Sequence, residues 1–503
     1  MEEKKQNLSK IAFNNSLYSL AFAIINKIGG LVFTIILARI LLPDLFGLYS
    51  LALSVVVIAI TLTDVGINFS GIRYMSKALI NGNKTQARSF FRYLLKIKSL
   101  LALMLLILII IFAKPLSQSV FNKPLLFVPL LFSSLYLFVE SIRNFFTVPF
   151  SAKKDLKSML PSELLSQVSK IIFALIILSV LSYELKVSGV FVVLVISSIL
   201  SLSLLSFFLI KKYPDLILGP IVTIDKKKVL KYMGYMGITG ITTIFFGSID
   251  TLILGRFVDA SYLGYYRVAL GLVLSISGLL PFSGVLLPIF TQINGKRLDR
   301  GFTKSLRYLI LLSIPMAVGL MFIAKYVLFL IYGEAYLPAS PVLLILSPLI
   351  IIAPLVALYS TVFQAKEKPE ILAKFILFSL IINIILNYIL IKLLLNISQE
   401  YALIGASIAT LISNIFLLNF LIIKTKSKFK IKLERNIIIK PVIATGIMAL
   451  FLFVYNAYID ISIFSGLFEV LLGVVVYFGS LILIKGATKD DWRLLYSLLN
   501  RQK

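Results

Sequence analysis

Long apolar runs separated by short basic segments most strongly limit what this 503-residue chain can fold into. Ser99 to Ala113 and Ile376 to Ile391 are almost entirely apolar, and hydrophobic residues make up 59% of the whole sequence. Soluble domains contain roughly 45–50% apolar residues. A helix needs about 20 apolar residues to cross the hydrocarbon layer, where no water satisfies exposed backbone groups. The sequence therefore predicts an all-α polytopic membrane protein.

The length criterion predicts about 14 transmembrane helices. Their predicted bounds are 15–39, 46–72, 94–113, 124–150, 162–182, 188–210, 232–256, 262–290, 305–324, 338–363, 374–392, 402–423, 441–457 and 464–484. Residues 73–98, which join the second helix to the third, are basic and predict an interfacial helix on anionic lipid.

Positive charge is distributed unevenly across this predicted topology. With a cytoplasmic N-terminus, the inside segments hold 39 Lys and Arg residues and the outside loops hold only five. Cytoplasmic loops are the ones that carry such an excess, so both termini are predicted on the cytoplasmic side of the cytoplasmic membrane. The net charge of +28 thus reflects topology, and we expect no nucleic-acid partner.

The sequence contains no cysteine and no histidine. Disulfides, thiolate and imidazole metal sites and histidine proton relays are therefore excluded, and we predict no metal and no cofactor. Coupling to H⁺ or Na⁺ would have to use Asp or Glu. No phosphate-binding glycine loop is present, so the sequence does not predict ATP hydrolysis.

One segment, LARILLPDLFGLYSLAL at 37–53, returns after 217 residues as LGRFVDASYLGYYRVAL at 254–270. We call these two copies the first and second hinge. Weaker matches at offsets of 211–216 extend the repeat over six helices. The predicted domains are two parallel six-helix bundles, 1–212 and 213–424, followed by two extra helices and an amphipathic tail, 425–503. A duplicated bundle with a cavity between its halves is typical of an alternating-access transporter.

Charges inside apolar spans are functional candidates, because each costs on the order of 2.5–3.5 kcal/mol on insertion scales. Lys27 lies at the middle of helix one beside Gly29 and Gly30, too deep to reach either interface. It is predicted to bind an anionic group or to pair with a carboxylate. Lys170 has no local carboxylate, and Arg267 could face the cavity mouth or lipid headgroups. These three cations are the predicted substrate-binding residues.

Asp64 and Asp250 are the candidates for ion coupling. Asp64 could pair with Lys27, bind a cation, carry a proton or act as a polar bracket between helices. Asp250 falls opposite Phe33 in the repeat, and Lys27 falls opposite Ile244, so neither charge belongs to the shared scaffold. We expect the chemistry to lie where the two copies differ.

Four further charges are predicted to be structural. Arg39 and Arg256 occupy matching hinge positions and are expected to anchor the hinges at the outer interface. Glu140 and Arg143 lie three residues apart on one helix, close enough to form an ion pair. Predicted spans nine to twelve contain no interior charge, which favours a cationic cavity with an apolar flank. Such a cavity suits an amphiphile with a phosphate headgroup.

The two hinges, together with LTDVGINFSGIRYM, IDTLILGRF before YLGYY, LLPIF and IYGEAYLPASPVLLIL, resemble the polysaccharide-biosynthesis flippases. These belong to the multidrug/oligosaccharidyl-lipid/polysaccharide exporter superfamily, and the resemblance covers essentially the whole chain. It implies a V-shaped pair of six-helix bundles with two extra helices. It also implies transport of undecaprenyl- or dolichyl-diphosphate-linked sugars from the inner to the outer leaflet.

Within that superfamily, the resemblance to lipid II flippases places Lys27 at the position of a helix-one cation and Asp64 at that of a helix-two acid. Phe33 stands where those flippases carry a further arginine. The departure favours a surface-polysaccharide unit over a peptidoglycan precursor as cargo.

Two other function classes stay open beside this prediction of a non-enzymatic transporter. A cation-coupled multidrug exporter would need carboxylates to dominate the cavity. A membrane glycosyltransferase or polymerase would need catalytic acids in a sizeable outer loop, and the predicted outer loops are short. We expect a monomer that contacts membrane lipids and an isoprenoid-diphosphate-linked sugar, with a polysaccharide polymerase or glycosyltransferases as candidate protein partners.

Overall fold

The computed structural model describes residues 2–280, 282–429, 436–459 and 463–486, and its regular structure in these ranges is helical throughout. The chain divides into two compact units. The first contains the residues up to Arg267 together with Ile384–Ala406, and the second contains Val268–Asn383 and the residues from Ser407 onward. The predicted amphipathic tail beyond residue 486 lies outside the described residues.

Eighteen α-helices follow one another in the described residues. They are α1 (Glu2–Asp64), α2 (Ile67–Ile80), α3 (Lys84–Pro115), α4 (Phe127–Phe146), α5 (Val148–Lys153), α6 (Leu160–Val180), α7 (Lys186–Lys212), α8 (Lys226–Phe257), α9 (Ala260–Ser277), α10 (Phe282–Gln292), α11 (Gly295–Phe322), α12 (Ala324–Tyr332), α13 (Ser340–Leu346), α14 (Leu349–Ala365), α15 (Pro369–Leu395), α16 (Gln399–Phe429), α17 (Asn436–Tyr458) and α18 (Ile463–Leu483).

Within the described ranges, 10 helices are long and apolar enough to cross a membrane. The number rises to 11 if α14 and the helical segment before it, which meet at a 48° bend, form one span. The prediction of an all-α polytopic membrane protein is therefore confirmed. The count of fourteen spans and the division into repeats stay predictions.

The first hinge is a break in α1 at Leu42, whose backbone adopts φ 57° and ψ 172°. Pro43 follows it, and a proline ring disfavours the helical conformation in the preceding residue. The apolar stretch Ile24–Ile80 contains 57 residues. As one straight helix it would be ~85 Å long, against a hydrocarbon layer of roughly 30 Å. The stretch must therefore reverse its direction across the membrane. The break at Leu42 allows α1 to change direction.

A second break, at Val65 and Gly66, contradicts the prediction of one continuous helix over 46–72. The φ angles of these residues are 28° and 76°. A Cβ atom on Gly66 would lie 2.4 Å from the backbone oxygen of Met233, so glycine allows α1 and α8 to approach closely. The single helix predicted over 73–98 is also wrong, while its predicted position at the membrane interface stays a prediction. A turn after Ile80 ends α2, and α3 continues from Lys84 into the membrane span.

Each unit packs its helices around aromatic side chains. In the first unit, Phe91 stacks on Phe145 with ring centroids 5.4 Å apart. In the second unit, Phe302 and Tyr359 make an edge contact at 4.9 Å. Phe150 of the first core and Phe363 of the second, which the predicted repeat pairs, are both fully buried. This equal burial fits the repeat.

The two hinges contact each other inside the first unit. A Cβ atom on Gly47 would lie 1.8 Å from the backbone oxygen of Ala260, and one on Gly264 would lie 2.1 Å from that of Pro43. At the offset of 217 residues, Gly47 corresponds to Gly264 and Pro43 corresponds to Ala260. Gly47 of the first hinge therefore packs against Ala260 of the second, and Gly264 of the second packs against Pro43 of the first. The same pair of hinge positions makes both contacts, so the contact is reciprocal.

We expect Gly264→Ala to lower the free energy of unfolding by about 1–3 kcal/mol, because its methyl group would overlap a backbone oxygen of the other hinge. Gly271→Ala is the matched control on the same helix, since a Cβ atom at Gly271 meets nothing within 4 Å. Helix propensity alone makes that control neutral or stabilising. Thermal unfolding of both variants in detergent measures the difference, and equal stabilities would contradict the close approach.

Asp155, between α5 and α6, joins two helix ends at one rim of the first unit. It accepts hydrogen bonds from Ser158 Oγ at 2.6 Å and Tyr213 Oη at 2.9 Å. Lys212 Nζ lies 3.4 Å from the same carboxylate. Partial burial acts to raise the pKa of Asp155, but the hydrogen bonds and the lysine outweigh it and hold the pKa below the ordinary value of 3.8.

A lowered pKa in the folded state stabilises the fold above the ordinary aspartate value, and this stability is lost as the pH falls through the folded pKa. We therefore expect the wild type to lose more thermal stability than Asp155→Asn on acidification below about pH 4. Unfolding temperatures measured from pH 6 to pH 3 test this. Glu184→Gln, which removes an exposed carboxylate from another loop, is the control and should follow the wild type.

Candidate functional site

Arg143 on α4 organises a buried polar network in the first unit. Its Nη2 atom lies 2.6 Å from Oε1 of Glu140, and its Nε atom donates to Oε2 of the same side chain at 2.8 Å. Its Nη1 atom lies 3.4 Å from Glu163 on α6. Ser198 on α7 donates a 2.8 Å hydrogen bond to Glu140. The network thus joins three helices and gives both carboxylates charged or polar partners.

Gln167 extends this network to α1. Its Nε2 atom donates to Glu163 at 2.8 Å and to the side-chain oxygen of Asn26 at 3.0 Å. Gly29 allows the approach, because a Cβ atom there would lie 2.8 Å from Gln167 Cγ. Lys27 lies between these two α1 residues in sequence, and its side chain is exposed. Since a charge facing lipid at mid-span is costly, we expect this side of α1 to border water.

Asp64 and Lys98 form an ion pair at the break between α1 and α2. Lys98 Nζ lies 3.2 Å from Oδ1 of Asp64, and the lysine is 1% exposed. The same oxygen accepts the backbone N–H of Asn68 at 3.1 Å and so caps the start of α2. Asp64 therefore pairs with Lys98 and not with Lys27. Thr63 donates to Ser141 on α4 at 3.0 Å, which brings this pair beside the Arg143 network.

The charges of the combined network are balanced. Lys170, on the same helix as Glu163, makes no ion pair with any described residue, but it interacts electrostatically with Glu140 and Glu163. Three cations and three acids take part, namely Lys98, Arg143, Lys170, Asp64, Glu140 and Glu163. A net positive cavity would thus depend on charges outside this group, such as Lys27.

Asp250, just before the second hinge, and Arg267, within it, interact electrostatically with each other. Asp250 is 3% exposed and accepts hydrogen bonds from Tyr266 Oη at 2.9 Å and Asn387 Nδ2 at 2.7 Å. Arg267 Nη1 donates to Thr251 at 3.3 Å and interacts electrostatically with Asp250. The carboxylate and amide oxygens here are of the type that a hard cation prefers.

The loop between α3 and α4 holds the second hinge. Arg256 donates to the backbone oxygen of Ser119 at 3.1 Å, while Arg39 of the first hinge is exposed. Lys123 Nζ donates to the backbone oxygens of Gly255 at 2.9 Å and Val258 at 2.8 Å. These bonds fix the hinge backbone where α8 ends. The anchoring role predicted for the two arginines stays a prediction.

Three residues of this arrangement were missed by the sequence analysis. Lys98 and Lys123 lie near the ends of predicted spans and gave no sign of a buried role, yet the first is buried and the second binds the hinge backbone. Gln167 carried a usable signal, because it lies four residues after Glu163 and three before Lys170 on one helical face. A polar stripe of that spacing on an apolar helix marks a contact with another polar helix face.

We expect Arg143→Gln to destabilise the protein by about 3–5 kcal/mol, because two buried carboxylates lose their cation. Lys170→Gln should leave the unfolding temperature nearly unchanged, since Lys170 makes no ion pair with a described residue. It is the matched control on the same network. Thermal unfolding of the two purified variants and the wild type measures the predicted difference in stability. A Lys170→Gln protein as unstable as Arg143→Gln would contradict this division of roles.

The arrangement of these helices matches the fold of several solved structures. The chain is similar to a structure of the lipid II flippase MurJ in an inward closed conformation, with a TM-score of 0.75 at 18% identity. That match covers 93% of this chain and 99% of the other. An inward-facing MATE multidrug resistance transporter of the MOP superfamily matches with a TM-score of 0.62 at 14% identity, over 82% and 98% of the two chains. Identities this low establish the fold alone.

Curated relatives match over shorter segments. The teichuronic acid biosynthesis protein TuaB of Bacillus subtilis is 28% identical over 130 residues, which cover 25% of this chain and 26% of TuaB. The probable low-salt glycan biosynthesis flippase Agl15 of Haloferax volcanii is 25% identical over 176 residues, which cover 34% and 35% of the two chains. The matched segments thus span only a quarter to a third of each relative's length.

The fold is that of these MurJ and MATE structures, and its long apolar helices define a multi-pass membrane protein. The family described as "Polysaccharide biosynthesis protein" matches residues 12–294, which is more than half of the sequence. The chain belongs to this family. The resemblance predicted from the hinges and the other motifs is confirmed.

Proposed function

We propose that the protein flips isoprenoid-diphosphate-linked oligosaccharides across the cytoplasmic membrane for surface-polysaccharide synthesis. The family assignment over residues 12–294 supports a role in polysaccharide biosynthesis. The main support for the proposed binding site is the position of Lys27. It is an exposed cation at the middle of an apolar span, next to the Asn26–Gln167 hydrogen bond. A charge kept at that depth in a transporter serves a substrate or its path.

In this proposal the chain crosses the membrane fourteen times as two six-helix repeats, 1–212 and 213–424, with two extra helices, and both termini are cytoplasmic. The equal burial of Phe150 and Phe363 and the reciprocal contact of the hinges support the repeat. Transport is by alternating access, and the protein acts as a monomer. A polysaccharide polymerase or glycosyltransferases are its candidate partners, since they would use or supply the lipid-linked unit.

The diphosphate of the substrate meets a cationic central cavity. Lys27 supplies its first charge, and Lys170 and Arg267 are the other proposed contacts. Lys170 is suited because it approaches Glu140 and Glu163 without forming an ion pair, so its ammonium stays available to an anion. The isoprenoid tail remains in lipid.

Asp250 is the better of the two ion-coupling candidates. Its carboxylate is buried and lies beside the side-chain oxygens of Tyr266 and Asn387, a setting of the kind that Na⁺ or a proton can occupy. Asp64 already has Lys98 as its countercharge and caps α2. Coupling by H⁺ or Na⁺ at Asp250 is therefore part of the proposal.

We expect Lys27→Ala to slow transport of an undecaprenyl-diphosphate-linked sugar in proteoliposomes by about 10- to 100-fold. One charge-assisted hydrogen bond contributes about 1.5–3 kcal/mol, and each 1.4 kcal/mol corresponds to tenfold. Lys27→Arg keeps the charge and should retain most of the rate. Lys392→Ala, which removes a lysine at the end of α15, is the control.

A folded Lys27→Ala protein with the wild-type rate would contradict the proposed role of Lys27. The same vesicles also separate the other function classes. Export of cationic drugs without movement of the lipid-linked sugar would favour the multidrug exporter. Elongation of the glycan on a fixed leaflet would favour a glycosyltransferase or polymerase.

A further inference from the structure

The second unit contains a cavity of about 240 Å³ that is separate from every residue discussed above. It lies where α11 and α17 end and α12 and α18 begin. The charge distribution of the sequence assigns these helix ends to the outer face. Pockets for drug-sized ligands measure roughly 300–1,000 Å³, so this cavity suits a smaller group.

A buried carboxylate lines the cavity. Glu469 on α18 is 4% exposed, and its described partner is the side chain of Asn456, whose Nδ2 atom donates to Oε1 at 2.9 Å. No lysine or arginine of the described residues forms an ion pair with it. One neutral amide offsets only part of the cost of burying a carboxylate. Glu469 is therefore suited to receive a ligand that brings positive charge and N–H donors.

A cation lines the same cavity without meeting that carboxylate. Lys325, at the start of α12, is exposed and forms no ion pair among the described residues. Lysine ammonium groups bind phosphate as point charges. The cavity is thus lined by a negative and a positive group that do not form an ion pair with each other.

Two close contacts hold the cavity wall. A Cβ atom on Gly466 would lie 2.3 Å from Cζ of Tyr326, so the backbone of α18 rests directly on the tyrosine ring. Tyr455 Oη donates to the backbone oxygen of Ser465 at 3.0 Å and ties α17 to the start of α18. A ligand would meet a preformed pocket, which lowers the cost of ordering on binding.

We propose that this cavity binds the phosphoethanolamine headgroup of a zwitterionic phospholipid, with its ammonium at Glu469 and its phosphate at Lys325. The headgroup carries an ammonium and a phosphate joined by a short linker, and the cavity is lined by one group of each complementary charge. Its ammonium has three N–H donors for a carboxylate. A choline headgroup has none and should bind less well. The proposal concerns lipid recognition and does not depend on the transported substrate.

The test uses the full-length protein in nanodiscs made of phosphatidylethanolamine and phosphatidylcholine, with retained lipids identified by native mass spectrometry. The wild type should retain phosphatidylethanolamine in preference to phosphatidylcholine. Glu469→Gln and Lys325→Gln should each reduce that preference at least about tenfold, as expected for the loss of one charge-assisted hydrogen bond. Lys325 is exposed, so its variant keeps the test independent of folding.

The controls are Glu334→Gln and Lys392→Gln, which make the same charge changes outside the cavity and should retain the lipid like the wild type. Equal retention of both lipids, or unchanged preference in both cavity variants, would overturn the proposal. So would displacement of the lipid by a simple monosaccharide, which would make the pocket a sugar site. Competition by soluble phosphoethanolamine would support the headgroup alone as ligand, whereas its failure would show that the acyl chains contribute as well.

Discussion

The low polarity of the membrane interior is the constraint on which the rest of the structure depends. It satisfies neither an exposed backbone group nor a lone charge, so the chain must be helical and each deep charge needs a partner or water. The breaks in the helices obey the same constraint. Leu42 breaks α1 directly before a proline, and Gly66 lies against the backbone of Met233, where another helix covers the irregular segment.

Charge balance separates structural residues from candidates for binding in the first unit. Arg143 is held by Glu140 and Glu163, and Lys98 by Asp64, so these side chains join helices and have little charge left for a ligand. Lys170 approaches the same acids without an ion pair, and Lys27 is exposed. The proposed transport function needs both kinds of charge, because a rigid helix bundle must carry a site that stays open to its substrate.

The hinges show how a duplicated sequence can supply both rigidity and a site. Gly47 and Gly264 let the two hinges pack backbone against backbone. Because the two glycines occupy matching positions, each hinge makes the same contact to the other. Asp250 lies at a position where the two copies differ, since Phe33 is its match in the first copy. It accepts a hydrogen bond from Tyr266, whose match in the first copy is also a tyrosine, Tyr49. Asp250 thus places a buried carboxylate beside a hinge whose sequence pattern occurs twice.

The sequence by itself determined the membrane class, the helical character of the chain, a hinge near Leu42 and the family, because apolar length and local motifs are properties of neighbouring residues. It could not determine that Asp64 pairs with Lys98, that Gln167 joins α6 to Asn26, or that Glu469 lines a cavity with Lys325. Those outcomes depend on which helices pack together over long sequence separations. Only the tertiary structure decides which buried charges are neutralised there and which remain available.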